Sequence, residues 1–161
     1  MAESIFEWVA SFGGKELALL LISFLPIVEL RGAIPVGIAL GLPWYQVLTI
    51  AVIGNMLPIP FILLFIDKIF VWLKKTKLKN FVEKIENKAM SKSDQIQKYG
   101  KIGLFLFVAI PLPGTGAWTG SLIASLLRMK MKDSLPWIFL GVLVAGLIMS
   151  LVSFGIIKQL V

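Results

Sequence analysis

Two stretches of this chain run uncharged for the thickness of a bilayer, and two others begin the same way and break. Trp44–Ile66 carries no charge over 23 residues and Pro136–Ile157 none over 22. A spanning helix needs about 20 apolar residues, so each run suffices. Leu17–Val28 is apolar, meets Glu29-Leu30-Arg31-Gly32, and turns apolar again from Ala33 to Leu42. Ile102–Ile110 does the same around Pro111-Leu112-Pro113-Gly114-Thr115-Gly116 before continuing to Leu127. Each broken pair is followed by a Leu-Pro-Trp triplet, at Leu42–Trp44 and Leu135–Trp137, and then by an unbroken run. Paired Pro/Gly-interrupted segments at matching positions of two halves are the sequence mark of a transporter site.

Hydrophobic residues make up 58% of the chain, above the roughly half of a soluble domain. There is no cysteine and no histidine, which excludes disulfides, thiol chemistry and Cys/His metal sites. No cofactor is expected. The N-terminal stretch carries Glu3 and Glu7 where a secretory signal would carry lysine or arginine. Ile5, Trp8, Val9 and Phe12 share one helical face, which predicts a short interfacial helix.

The single membrane domain divides into a first half, 1–66, and a second, 102–161, joined by a polar linker, 67–101. That linker holds ten lysines against Asp67, Glu83, Glu86 and Asp94, and by the positive-inside rule it is cytoplasmic. Leu78, Phe81, Val82, Ile85 and Ala89 follow helical spacing, so part of it is an amphipathic helix. A nucleic-acid partner is not expected, because juxtamembrane lysines lie next to lipid headgroups by default. If each broken segment crossed fully, Arg128, Lys130 and Lys132 would face away from the linker. If each dips in and returns, every basic cluster lies on one side and both termini lie outside. The expected fold is therefore an all-α integral membrane protein of a bacterial or archaeal cell membrane. It comprises an inverted repeat of two re-entrant helical hairpins and two full transmembrane helices. Unpaired backbone groups at the hairpin tips cannot face lipid, so the tips must meet protein or water, and their meeting point is the expected site.

Glu29 and Arg31 are the charges inside the first dip. Charge at that depth is expensive and generally functional. A desolvated glutamate can take up and release a proton, and an arginine offers a fixed fork to phosphate or carboxylate. The alternative is an ion pair that merely pins the hairpin. Gly32 and Pro35 shape that tip. In the second dip Pro111, Pro113, Gly114, Thr115, Gly116 and Trp118 cannot form a regular helix, and the helix that follows can turn its free N–H groups toward an anion. Asn55, followed by Pro58 and Pro60, puts an amide in the first span; interhelical bonding and substrate contact are both open to it. Arg128 marks topology or meets a lipid headgroup. Gly141, Gly146 and Ser150 form a small-residue face suited to a homodimer.

Glu29-Leu30-Arg31-Gly32-Ala33-Ile34-Pro35, taken with Pro111–Trp118, resembles the signature of the small multidrug export protein family over nearly the whole chain. That family is distantly similar to the DedA/VTT (SNARE-associated) membrane proteins, which have two re-entrant hairpins and full spans. Some of those relatives move undecaprenyl phosphate or other lipids with proton coupling. Pro111, Pro113 and Gly114 resemble their Pro-x-Pro-Gly tip. The chain departs where they carry an acid after that glycine, since Thr115 stands here. They also carry several arginines in the other hairpin, where this chain has Arg31 alone with Glu29 beside it. The resemblance implies a proton-coupled transporter or flippase for an anionic, phosphate-bearing amphipath. The alternatives are a proton-coupled exporter of lipophilic cations and a non-transporting assembly protein. An enzyme is not expected without His, Cys or a second deep acid.

Overall fold

Prolines and glycines decide where this chain bends, and between the bends it is helical. The computed structural model describes residues 14–160, with side chains described for 14–155. The expected N-terminal interfacial helix lies outside the described residues. The helices are α1 (14–24), α2 (Glu29–Ala39), α3 (Trp44–Met56), α4 (Ile59–Leu73), α5 (Lys79–Met90), α6 (Asp94–Ala109), α7 (Ala117–Leu126) and α8 (Met131–Leu160), with no strand among the described residues. Helix α1 stops at Phe24, two residues before Pro26, which disfavours helical backbone at the residue preceding it. Helix α6 stops at Ile110, held extended (φ −81°, ψ 117°) by Pro111. Helix α2 ends in a Schellman motif. Gly41 at φ 79° supplies the left-handed residue, its N–H donates to the Ile38 carbonyl, and that of Leu42 donates to the Gly37 carbonyl.

Two helical stretches are long and apolar enough to cross a membrane: Trp44–Leu73, 30 residues, and Met131–Gly155, 25 residues. The first joins α3 to α4 through a turn at Leu57-Pro58.

The described chain forms two compact units. The first holds the residues up to Pro58 and those from Val142 onward. Here α1 and α2 run back alongside each other. Lys15 Nζ donates to the Leu40 carbonyl at 3.0 Å, and Leu19 lies against Gly37, which also faces Val47 of α3. Gly54 of α3 sits over Ser23 and the Leu20 carbonyl, and Gly146 of α8 sits against Leu48, Val52 and Ile34. Leu19, Ile22, Leu30, Ile34 and Val47 are fully buried there.

The second unit is Ile59–Gly141. Helix α7 packs against α4, α5 and α6. Gly120 faces Val108, Leu104 and Phe107, while Gly141 faces Val108 and the Phe105 carbonyl. The amphipathic helix of the linker is α5, with Val82 and Ala89 buried and Phe81 exposed. One bend was not expected. Gly100 (φ 58°, ψ −126°) reverses the chain inside α6, and Gly103 then lies on the Gln95 carbonyl and Ile96 Cα. Residues 94–99 therefore double back along 101–109. Lys101 Nζ meets Asp133 Oδ1 at 2.8 Å, so both flanks of the second broken segment lie at one end of the unit.

Gly141 and Gly146, two residues of the expected dimer face, are each packed against neighbours within their own unit.

Candidate functional site

The break in the first segment falls at residues 25–28, ahead of Gly32, which is helical. The Glu29 N–H closes the turn on the Leu25 carbonyl at 2.9 Å, and that of Gly32 restarts the helix on Val28 at 3.0 Å. Between them Glu29 adopts φ 51°. A non-glycine residue in left-handed backbone carries about 1–3 kcal/mol of strain, which persists only where its surroundings hold it. Glu29 is also 6% exposed, and Leu30, Ala33 and Ile34 of the same helix are buried with it. Arg31 is half-buried, and the Glu29 carboxylate is its electrostatic partner. Pro35 lies inside α2 and has no N–H to give the Arg31 carbonyl four residues back.

Asn55 occupies the same end of this unit. It follows Gly54, which touches Ser23 and Leu20 of α1 just before the break that leads to Glu29. Its side chain is 1% exposed, and neither Oδ1 nor Nδ2 has a hydrogen-bond partner. Leaving a buried polar group bare costs about 1–3 kcal/mol. Ser23, fully buried, uses its hydroxyl on the Leu20 carbonyl at 2.8 Å. The first unit thus gathers Glu29, Arg31, Gly32, Pro35 and Asn55: a strained buried acid, a cation beside it, and an amide with donor and acceptor both unspent.

The second unit holds the other tip. Gly114 (φ 76°) and Gly116 (φ 138°) take backbone that side chains rarely adopt, and Gly116 caps α7. The Thr115 hydroxyl lies within 2.9 Å of both the Ile110 and Leu112 carbonyls, so its proton is used inside the tip. Trp118, half-buried, stands in the first turn of α7. Lys92 Nζ donates to the Gly114 carbonyl at 3.0 Å. Sequence reasoning placed Lys92 in a surface linker and missed this contact. The missed signal was Gly100, whose reversal carries Lys92 to the level of Pro111–Gly114.

Arg128 lies at the other end of α7. It is exposed at φ 55° and forms the left-handed position of a second Schellman motif. Its N–H donates to the Ser125 carbonyl and that of Met129 to the Ala124 carbonyl. The expected residues thus form two groups, one in each unit, with Arg128 outside both. Among the described residues, no cluster of three or more Asp or Glu side chains could hold a metal.

The chain matches the model of the family described as "Putative small multi-drug export protein" over residues 29–148. No curated protein and no solved structure matches the chain. The expected likeness to DedA proteins is not shown by these comparisons. The family match begins at Glu29 and runs through Arg31, Asn55, the Pro–Gly tip and Arg128, most of the chain and both groups of candidate residues. The chain therefore belongs to the small multi-drug export protein family.

Proposed function

We propose that this protein is a proton-linked membrane transporter, not an enzyme, and that the Glu29–Arg31–Asn55 cluster binds the polar end of a small amphipathic substrate. The observation that carries this is Glu29: a buried acid in left-handed backbone, at a helix break. Strain and burial of that kind persist where they serve a site. Glu29 would carry the proton, because a desolvated carboxyl can exchange one. Arg31 would hold an anionic headgroup, such as a lipid phosphate, through its planar fork, and the bare Asn55 amide would complete the contact. The family description and the burial of Glu29 favour a second reading, export of lipophilic cations, in which Glu29 is the shared site of drug and proton.

One comparison separates them. Purified protein in vesicles is offered a long-chain alkyl phosphate or tetraphenylphosphonium, with and without a pH gradient. Glu29→Gln is expected to abolish gradient-driven movement while the protein stays folded. Arg31→Lys is expected to weaken alkyl phosphate binding about tenfold, through loss of the charge-assisted fork. A cation exporter would show the reverse pattern: tetraphenylphosphonium binding lost with Glu29 and unharmed at Arg31. If both folded variants handle both ligands as the parent does, the pair is structural and this reading fails.

A further inference from the structure

The lysine-rich helix α5 carries its charges unevenly. Val82 and Ala89, seven residues apart, form its buried stripe. On one side of that stripe both acids of the helix are spent: Glu83 pairs with Lys79 at 3.8 Å and Glu86 with Lys74 at 2.6 Å. On the other side Phe81, Lys84 and Lys88 follow at three- and four-residue spacing and share one face. All three are exposed, Phe81 to 62%. Among the described residues, neither Lys84 nor Lys88 forms an ion pair. This flank presents one aromatic ring and two uncompensated cations.

We propose that this flank of α5 docks on anionic lipid headgroups. The helix is built to stay at their level. The uncharged part of the span ends at Ile66, and Asp67 to Leu73 add about 10 Å of helix, comparable to the depth of a headgroup layer. The elbow that follows is fixed. The Thr76 hydroxyl donates to the Leu73 carbonyl at 2.7 Å and accepts from the Leu78 N–H at 3.2 Å. Lys74, the first residue past α4, holds Glu86 of α5. Trp72, exposed at the end of α4, is of the residue type that collects at membrane boundaries. Charge decides the occupant. Residues 67–90 hold seven lysines against three acids, and lysines beside a bilayer attract anionic lipid. Phe81 can enter the acyl boundary while the longer Lys84 and Lys88 reach the phosphates. The contact does not depend on Glu29 or on transport.

The test uses the full chain in lipid nanodiscs. The chain has no cysteine, so Asn80→Cys, one turn before Lys84, takes a single bimane label. Doxyl-labelled phosphatidylglycerol and doxyl-labelled phosphatidylcholine are compared as quenchers in discs of phosphatidylcholine. At low salt the phosphatidylglycerol is expected to quench at a roughly twentyfold lower mole fraction, about fivefold for each lysine. At about 1 M salt, where charges are screened within about 3 Å, the two should quench alike. That comparison needs no change at the lysines. Lys84→Gln with Lys88→Gln is expected to bring the two lipids near parity at low salt, whereas Lys84→Arg with Lys88→Arg keeps the preference because it keeps the charge. The proposal is overturned if the two lipids quench the parent alike at low salt, which marks a merely solvated face. It is equally overturned if the preference survives high salt or the double glutamine variant. It also fails if soluble polyglutamate relieves the phosphatidylglycerol quenching at equal total charge, which marks an acidic protein partner.

Discussion

Among the described residues, two other than glycine hold left-handed backbone, Glu29 and Arg128, and they differ in setting. Arg128 is exposed and serves α7 as the residue of its terminal turn, a position glycine fills better. Arg128→Gly should therefore stabilise the folded protein by about 1 kcal/mol. Thermal unfolding of both forms in the same detergent measures it, and a loss of stability would mean that the guanidinium makes a contact worth more than the strain. Glu29 has no such helix-ending role and is buried, so glycine there would relieve strain and remove the acid together. Its position next to Arg31 was legible, because two charges in an apolar run stand out. Its backbone was not, because nothing in the side chain of glutamate favours φ 51°. Pro26 stands six residues ahead of Gly32 and ends α1 at residue 24, so the break falls before the glycine that the sequence pointed to.

At the scale of elements, breaks imposed by proline were legible and the reversal imposed by glycine was not. Pro26, Pro43 and Pro111 each sit where a helix ends or begins, because proline removes a donor and restricts its predecessor. Gly100 follows Tyr99 in a lysine-rich stretch and reads as loop, yet it turns the chain through a conformation only glycine takes easily. The adjoining close contact makes a prediction. A side chain at Gly103 would strike the Gln95 carbonyl and the Ile96 backbone, neither of which can rotate away. Gly103→Val should force residues 94–99 off 101–109, at about 1–3 kcal/mol, the usual range for overpacking. Trypsin cleavage after Lys98 and Lys101 should then accelerate severalfold. An unchanged digestion rate would mean that the two segments do not pack in solution.

For the whole molecule, the two spans were readable from length and charge alone, since only apolar composition was needed. The expected halves, 1–66 and 102–161, divide the chain differently from its two compact units, which change over at Pro58/Ile59 and again at Gly141/Val142. Sequence order gave no sign of this, because α8 is one continuous helix that contributes to both. The small residues Gly141 and Gly146 were visible as a stripe, but not what would cover them. The re-entrant reading of the second segment makes its own prediction. Single cysteines at Lys75, Ser91 and Lys130 should then label from the cytoplasmic face alone, and one at Gln159 from outside alone. Labelling of the Lys130 position from outside would make the broken segments true spans.

The fold-back at Gly100 also bears on how such a chain is made. Residues 94–99 include Asp94, Gln95, Gln97 and Lys98, and they lie along the apolar limb 101–109. Were that limb to enter the bilayer by itself, this polar strip would go with it into hydrocarbon. Helix α4 leaves the ribosome before the strip, and α7 follows it. The strip is thus flanked in the order of synthesis by the two helices that pack together in the finished unit. The unit can therefore close only once α7 has been made, after α4 and the strip that precede it in the chain.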